Sequence, residues 1–244
     1  MVGLTTIALI ERKPGISRSL FSRYWRDVHG VMAARIPGFG SYTQYHVTPQ
    51  GDDLPPFEGV AIVTFEHEDD VAGLMTSAVT KHIHRDEQNV FRRALLYSLA
   101  PGADRVLLGQ SGNGGETFFH VVPQGADAAG VADDLIEAGP TYLTSYDLTT
   151  GDPAGWNDTD VDEGGSGRRF VTVFHSRWQN GPPPIAAPVA AYRLDACYVM
   201  VEDGRPTIIG LRGLDAARTI EEVGADNQLA DDVVRAIYGD WARP

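Results

Sequence analysis

Residues 12–47 read RKPGISRSLFSRYWRDVHGVMAARIPGFGSYTQYHV, and this stretch decides the fold of the chain. It follows an aliphatic run over residues 5–11, and its first Pro-Gly pair signals a turn. Apolar residues then recur at helical spacing over residues 18–34, until a second Pro-Gly pair ends the pattern. Polar and apolar residues alternate over residues 39–47. The stretch therefore predicts the end of one strand, a turn, an amphipathic helix and a second strand.

The same kind of pattern continues to about residue 110. We predict two further strands, over residues 59–65 and 105–108, and two helices, over residues 67–78 and 80–98. The resulting order is β-α-β-β-α-β, which is the ferredoxin-like pattern.

A Gly-rich joint then marks a domain boundary or a long hinge, and the order of elements restarts after it. We therefore predict two domains, residues 1–110 and residues 111–244, with insertions near residues 151–168 and 178–189. A single unit of this kind leaves one face of its sheet bare, and that face must be covered. The predicted fold class is α+β, with two ferredoxin-like repeats packed sheet to sheet around a barrel-like core.

Composition excludes several classes of partner. The chain carries a net charge of -13, which disfavours binding to nucleic acid or to anionic membranes. Its single cysteine excludes an intrachain disulfide and a thiolate metal cluster. No apolar run approaches a membrane-spanning length, and the first residues do not resemble a signal peptide. We expect a cytoplasmic protein.

His29 is the strongest candidate for a catalytic residue. It lies four residues after Trp25 and so shares the apolar stripe of the predicted helix. Desolvation there lowers an imidazole pKa, which suits a neutral general base. Alternatively, His29 is a buried structural residue that caps the helix end or bonds to a loop carbonyl.

The strand over residues 39–47 presents Tyr42, Gln44 and His46 on one face. We expect this face to line the cavity inside the barrel, where His46 acts with His29 as a catalytic residue. A tyrosine and a histidine there can stabilise an enolate or phenolate oxygen. The alternative is a polar row that closes the interface between the two halves.

Five residues are predicted to contact a substrate: Arg12, Trp25, Tyr42, Gln44 and Tyr45. Trp25 and Tyr45 are interpreted as packing residues or walls of the pocket rather than as catalytic residues. Arg12 either binds a substrate carboxylate or pairs with an acidic neighbour.

No metal or cofactor site is predicted. His82, His84 and Asp86 are closely spaced, but on a helix only His82 and Asp86 share a face, which is too few ligands for zinc. No phosphate-binding or dinucleotide motif is present.

Four residues of the second half, namely His120, Tyr146, Asp147 and His175, are interpreted as structural. The alternative that any of them faces the cavity stays open.

Several of these residues occur in a recognisable arrangement. The motifs are Arg-Lys-Pro-Gly at 12–15, Phe21 with Tyr24-Trp25, Val-His-Gly-Val at 28–31, Pro37-Gly38, and Tyr-Thr-Gln-Tyr-His-Val at 42–47. Together they resemble the EthD family of the dimeric α/β-barrel superfamily. Asp86-Glu87 with Phe91 resembles a later acidic motif of that family. Where relatives often carry a glutamate in the third strand, this chain has Ile62, with Glu58 just before it.

The resemblance covers about 100 residues of the first half. It implies that the second half is a degenerate copy, because its first helix has neither the tryptophan nor the histidine. The chain is then a fused pseudo-dimer with one competent site.

The resemblance also implies a class of function. We expect a cofactor-free enzyme that acts on a small aromatic, polyketide-like or lactone substrate by histidine-mediated proton transfer, a lyase or isomerase rather than an oxidoreductase. The first alternative is a monooxygenase of the same superfamily, either cofactor-free or haem-binding. The second is a small-molecule binding protein without catalysis. The expected partner is a small-molecule substrate, and the sequence is compatible with a homodimer.

Overall fold

One antiparallel sheet organises the chain. The computed structural model describes residues 4–52, 54–65, 67–71, 76–109, 114–149, 161, 169–181, 188–225, 228 and 230–238. Within these residues the strands are β1 (Leu4–Arg12), β2 (Phe39–Pro49), β3 (Phe57–Phe65), β4 (Phe91–Gly109), β5 (Glu116–Pro123), β6 (Tyr142–Leu148), β7 (Phe170–Trp178), β8 (Ala190–Glu202) and β9 (Arg205–Pro206).

The sheet closes on itself. Its strand order is β2-β3-β1-β4-β6-β7-β5-β8-β9, and β2 also pairs with β8. The first four strands are arranged as second, third, first and fourth, and the order β6-β7-β5-β8 has the same form. Strand β4 is 19 residues long and pairs with β1 along its first part and mainly with β6 along its second. The chain is thus a mixed α and β protein built on a barrel-like antiparallel sheet.

The helices pack on the outside of this sheet. They are α1 (Arg18–Tyr24), a π-helical turn (Trp25–His29), α2 (Gly30–Ala33), α3 (Ala78–Val90), α4 (Ala128–Glu137), α5 (Ile208–Arg212), α6 (Leu214–Val223) and α7 (Asp231–Tyr238), together with a 3₁₀ turn at Glu68–Asp70. No helix in the described part of the chain is long and apolar enough to span a membrane.

The inside of the closed sheet is an apolar core. Its side chains come almost entirely from strands of both halves, such as Leu9 and Val47 from the first and Val121 and Val173 from the second. Burying each such side chain stabilises the fold by about 1.5–3 kcal/mol relative to leaving it exposed. The two halves therefore share one interior and are held together by it.

Two outer cores lie between the sheet and its helices. The larger one, in the first half, lies under α1, the π turn and α3 and includes Trp25 and Phe91. The smaller one lies under α4 and includes Leu135 and Phe174. The first half thus has the deeper layer between helix and sheet, which is where a pocket can form.

Some predicted boundaries were wrong. The helix predicted over residues 80–98 ends at Val90, and Phe91 begins the long strand β4. Residues 94–97 are buried on both faces of the sheet, so their sequence shows no alternation that separates strand from helix. The strand predicted over residues 105–108 is the far part of β4.

Two other predictions are met only in part. The helix predicted over residues 67–78 includes a 3₁₀ turn at Glu68–Asp70, and residues 72–75 lie outside the described residues. Most of the predicted insertion near residues 151–168 and half of the one near residues 178–189 also lie outside the described residues. After β8 the chain turns at Asp203-Gly204 into the short strand β9, and α5 follows.

Candidate active site

The site is organised by the π turn. Ser17 caps α1 by accepting a hydrogen bond from the Leu20 amide at 3.2 Å. At Trp25 the helix widens, so that the Gly30 amide donates to the Trp25 carbonyl five residues back. Such π turns occur frequently at functional sites. Trp25 and His29 are both buried against the sheet, as their shared helix stripe predicts.

A cavity lies between this turn, α3 and the outer face of β1 to β4. It offers about 50 Å³ to water-sized molecules, enough for roughly three or four waters, so a larger ligand requires side chains at its rim to move. Most of its lining is apolar and includes Trp25, Ile83 and Phe91. Its polar side chains are Thr6, His29, Tyr42 and Glu87. An apolar pocket with a few polar groups is typical of small-molecule sites.

His29 is oriented by a carboxylate of α3. Its Nδ1 lies 3.1 Å from Asp86 Oδ2, and Tyr24 donates to Asp86 Oδ1 at 2.5 Å. Burial acts to raise the pKa of Asp86, but the hydrogen bonds from His29 and Tyr24 outweigh it, and the pKa lies below its usual value. The ionised carboxylate only accepts hydrogen bonds. Nδ1 of His29 therefore carries the proton, and Nε2, which has no hydrogen-bond partner among the described residues, is the basic nitrogen.

Gln44 sets the direction of the hydrogen bonds on β2. Its Nε2 donates to the Trp25 carbonyl at 2.9 Å and to the Tyr42 hydroxyl oxygen at 2.8 Å. The carbonyl can only accept, so the orientation of the amide is determined. Because the Tyr42 oxygen accepts from Gln44, its own hydrogen is left to donate elsewhere.

Tyr42 is a neutral donor at the edge of the cavity. Burial raises the pKa of its phenol, and the nearby Glu87 charge raises it further. Glu87 is itself fully buried and lines the same cavity. His29, Tyr42 and Glu87 thus bring a base, a hydrogen-bond donor and a carboxyl group to one small apolar space.

His46 lies behind Trp25 and is not part of the cavity lining. Its Nδ1 lies 2.7 Å from Ser22 Oγ, and its Nε2 lies 3.3 Å from Gln44 Oε1. Since Oε1 accepts, Nε2 carries the proton and Nδ1 accepts from the serine hydroxyl. Burial, followed by the charges of Arg26 and Arg18, lowers the pKa of His46 to about 3. Such a weak base with both nitrogens engaged positions its neighbours.

The predicted orientation of β2 was wrong. Tyr42, Gln44 and His46 face the helices, whereas Tyr45 and Val47 face the interior of the closed sheet. The interior is packed mainly with apolar side chains from both halves, so these three polar side chains would lack hydrogen-bond partners there. On the side that faces α1, Gln44 donates a hydrogen bond to the Trp25 carbonyl, and His46 accepts one from the Ser22 hydroxyl.

Two predicted substrate contacts lie away from the cavity. Arg12 pairs with Glu58, with Nε–Oε2 and Nη2–Oε1 distances of 2.7 and 3.0 Å. Tyr45 packs in the interior against Phe119 and His175. Of the predicted residues, the structure therefore brings Trp25, His29 and Tyr42 to the cavity, with Gln44 and His46 beside it.

Sequence reasoning missed the two acidic residues of the site. The sequence pattern relates Asp86 to His82 on one helix face and to Glu87 and Phe91 in a motif, yet in the structure Asp86 is the partner of His29. The adjacent pair Asp86-Glu87 on a helix was the available signal. Among the described residues, no group of three histidine, cysteine, aspartate or glutamate side chains is placed to hold a metal ion.

The four second-half candidates do not line this cavity. His120 hydrogen-bonds through Nε2 to Ser176 Oγ at 2.8 Å, and burial lowers its pKa to about 3. Asp147 pairs with Arg105 on the surface. Tyr146 and His175 face the interior of the closed sheet.

Comparison with known proteins finds a family match in the first half of the chain. The EthD domain family matches residues 13–93, and no curated protein matches the chain by sequence. Among solved structures, an anthrone oxidase-like protein shares 12% identity over 85% of this chain and 98% of its own, with a TM-score of 0.53. A proposed monooxygenase from Lactobacillus acidophilus NCFM shares 11% identity over 85% and 99%, with a TM-score of 0.44. The EthD domain match thus covers the residues that carry the π turn, His29 and Asp86.

Proposed function

We propose that this chain is a cofactor-free enzyme that removes a proton from a small, apolar carbon acid bound in the cavity. The observation that supports this most directly is the Asp86–His29 pair, whose free Nε2 belongs to a residue lining the same cavity as Tyr42. Enolate formation needs a base and a donor for the developing oxyanion, and both are present.

In this proposal His29 Nε2 takes the proton. Asp86 holds the imidazole in the tautomer that leaves Nε2 unprotonated, and it stabilises the imidazolium that forms. Because the base is already oriented before the substrate binds, little reorganisation accompanies proton transfer.

Tyr42 then stabilises the oxyanion. Its hydroxyl hydrogen is not used by Gln44, and its raised pKa keeps the phenol protonated. The resulting enolate is the intermediate of isomerisation, dehydration and aldol cyclisation. In decarboxylation the enolate forms by loss of carbon dioxide instead, and Tyr42 would stabilise it in the same way. Lyase or isomerase chemistry on a small aromatic, polyketide-like or lactone substrate follows from this step.

Proton exchange tests the proposal without the natural substrate. Cyclic 1,3-diketones, small lactones and phenolic ketones are incubated with the protein in deuterium oxide, and deuterium uptake is followed by NMR. His29→Ala should slow catalysed uptake by about 10²–10⁴-fold, which is typical of losing a general base. His82→Ala removes an exposed histidine of α3 and is the matched control. Unchanged exchange in folded His29→Ala would exclude His29 as the base.

An oxygenase is the second candidate, favoured by the fold that this chain shares with the anthrone oxidase-like protein. Nothing in the comparisons favours a lyase over an oxidoreductase. The carbon that loses its proton, initially a CH₂ group, would react with dioxygen to give C=O and water, so that the substrate supplies the electrons. Stoichiometric oxygen uptake that depends on His29 would favour this route, whereas turnover under nitrogen would favour the first. A porphyrin does not fit the cavity as it stands, which disfavours a haem-dependent version.

We also infer that the chain is a fused pseudo-dimer, with its halves at residues 1–110 and 111–244. The matching strand orders β2-β3-β1-β4 and β6-β7-β5-β8 support two ferredoxin-like repeats that meet sheet to sheet. In this view the second half has kept the fold and lost the helix histidine, so a single competent site remains.

A further inference from the structure

A cleft lies on the outer face of the sheet in the second half, beside α4. It has a volume of about 540 Å³, compared with about 50 Å³ for the catalytic cavity. Among the described residues, the linings of the two spaces have no residue in common, so the cleft is not an extension of the catalytic cavity. We call it the outer cleft and define it by Leu107, Ala128, Ala132, Ile136, Ser145 and Phe174.

The outer cleft exists because α4 presents small side chains to the sheet on this side. Ala128, Ala132 and Ile136 follow one another at intervals of four residues, so they lie along one face of the helix. Leu135, on the neighbouring face, is buried in the outer core together with Phe174. The two alanine methyl groups leave unfilled the space that larger side chains would occupy. The apolar part of the wall is aliphatic except for Phe174.

Ser145 supplies a buried polar group to the outer cleft. Its strand partners are Arg105 on β4 and Phe174 on β7, and both line the same cleft. Antiparallel partners share a face, so the Ser145 side chain projects from the outer face of the sheet. Ser145 is only 1% exposed, and its Oγ has no hydrogen-bond partner in the described part of the chain. A buried hydroxyl group without a partner costs free energy, so this group is suited to bond a ligand.

Charge at the rim of the outer cleft disfavours an anionic ligand. Arg105 pairs with Asp147 at 2.5 Å, so the charge of its guanidinium is compensated. Asp133 adds a second carboxylate to the lining. The net charge of -13 on the whole chain acts in the same direction. An uncharged group is favoured next to Ser145, because a serine hydroxyl cannot neutralise a buried charge.

We propose that the outer cleft binds an aliphatic alcohol, with its hydroxyl group on Ser145 Oγ and its carbon chain along Ala128, Ala132 and Ile136. A hydroxyl group both donates and accepts, so it can satisfy the Ser145 hydroxyl in either role. An aliphatic chain gains free energy by burying its surface against aliphatic walls. This binding site does not depend on the proposed reaction, since it lies outside the catalytic cavity.

Titration with n-octanol, followed by NMR of isoleucine methyl groups, tests the proposal on the wild-type protein. Ile136 lines the outer cleft and Ile83 lines the catalytic cavity, so their methyl signals report on the two spaces separately. The Ile136 signal should shift and saturate, whereas the Ile83 signal should not move. No saturable shift of Ile136, or a shift of Ile83 in its place, would overturn the assignment.

Substitutions on β6 and α4 test the individual contacts by isothermal titration. Ser145→Ala should weaken the binding of n-octanol about three- to tenfold, because one hydrogen bond is lost. Ala132→Leu fills the outer cleft and should abolish binding. Ala138→Leu, at the exposed end of the same helix, is the matched control and should bind as wild type does. Wild-type affinity in folded Ser145→Ala or Ala132→Leu would contradict the proposal.

Octanoate tests the chemical class of the ligand. It has the same chain length as n-octanol but carries a carboxylate at neutral pH. It should bind more weakly than n-octanol, because the carboxylate would be buried beside Ser145 and near two acidic side chains. Binding of octanoate that is equal or tighter would show that the outer cleft accepts an anion, and the assignment to an alcohol would be wrong.

Discussion

Asp86 connects three parts of the site through one carboxylate. It accepts from Tyr24 on α1 and from His29 on the π turn, while it is itself carried by α3. Hydrogen bonds to a charged group are stronger than those between neutral groups. Asp86 therefore fixes the distance between two helices as well as the tautomer of the base.

Replacing Asp86 by asparagine should destabilise the fold and make its stability less dependent on pH. At neutral pH we expect a loss of about 2–3 kcal/mol in the free energy of unfolding, since two charge-assisted hydrogen bonds weaken. The pKa of Asp86 is lower in the folded state than in the unfolded state, so its contribution is present above the unfolded pKa of about 3.9. It is lost as the pH falls towards the folded pKa.

Urea unfolding of both proteins at neutral and acidic pH measures this effect. Wild type should lose stability across the window below about pH 4, whereas Asp86→Asn should lose less there. Parallel pH profiles of the two proteins would contradict the proposed role of the carboxylate.

Tyr42→Phe should separate catalysis from folding. Removing one hydrogen bond to a developing oxyanion costs about 10²–10³ in rate. The phenyl ring keeps the packing, so the melting temperature should change little. Tyr146→Phe removes a phenol that faces the interior and should leave the rate of deuterium uptake at its wild-type value. If both variants slow exchange equally, Tyr42 does not hold the oxyanion.

At the scale of single residues, the sequence predicted His29 well and Asp86 poorly. His29 lies four residues after Trp25, so both residues share one apolar stripe of the helix, and this local spacing is visible in the sequence. Asp86 lies 57 residues away from His29, and their contact depends on how α3 packs. Local periodicity carries no information about such a pairing.

The π turn depends on a residue that has no side chain. A Cβ atom on Gly30 would lie 2.5 Å from Gln44 Nε2 and 3.0 Å from the Trp25 carbonyl oxygen. Gly30 therefore permits the close approach of helix and strand through which Gln44 reaches Trp25.

Gly30→Ala should displace Gln44 and loosen the π turn. We expect a destabilisation of about 1–3 kcal/mol, as for other overpacked sites, together with slower deuterium uptake. Gly51→Ala is the control, because its added Cβ would meet only Leu54 at ordinary contact distance. Urea unfolding compares the three proteins. Equal midpoints for Gly30→Ala and wild type would show that the helix can move away freely.

At the scale of elements, alternation along β2 was visible in the sequence, but the direction of its faces was not. Period-two patterning groups Tyr42, Gln44 and His46 together. It cannot say which side holds their partners, because the Trp25 carbonyl and the Ser22 hydroxyl become available only when α1 packs on the sheet.

The two halves of the molecule are joined by two pairs of hydrogen-bonded strands, or ladders. β2 pairs with β8 on one side, β4 pairs with β6 on the other, and the apolar interior is shared. Separating the halves would expose both the ladders and the interior face of each sheet.

A fragment that ends at residue 109 should therefore not persist as a folded monomer. Expressed alone, it should aggregate or dimerise, since an exposed apolar sheet with open edges associates readily. Adding the fragment of residues 110–244 should restore a complex of one copy of each. Size-exclusion chromatography with circular dichroism follows both states. Cooperative unfolding of a monomeric fragment would show that the first half is an independent domain.

At the scale of the whole molecule, the sequence indicated a mixed fold with an antiparallel, barrel-like sheet, and this was confirmed. The order of strands and helices along the chain is a local property, so it could be predicted. Closure of the sheet through β2 and β8 joins residues about as far apart as Gln44 and Tyr198, and no local pattern encodes it.

Strand β2 separates two compartments by the thickness of a single backbone. Tyr42 and Gln44 project towards the helix layer that holds the cavity, and Tyr45 and Val47 project towards the interior of the closed sheet. The register of this strand consequently determines which side chains face each compartment. Deleting one residue before Tyr42 would retain every side chain discussed here and exchange the two sets between compartments. The sorting of these side chains therefore depends on the length of β2 rather than on its composition.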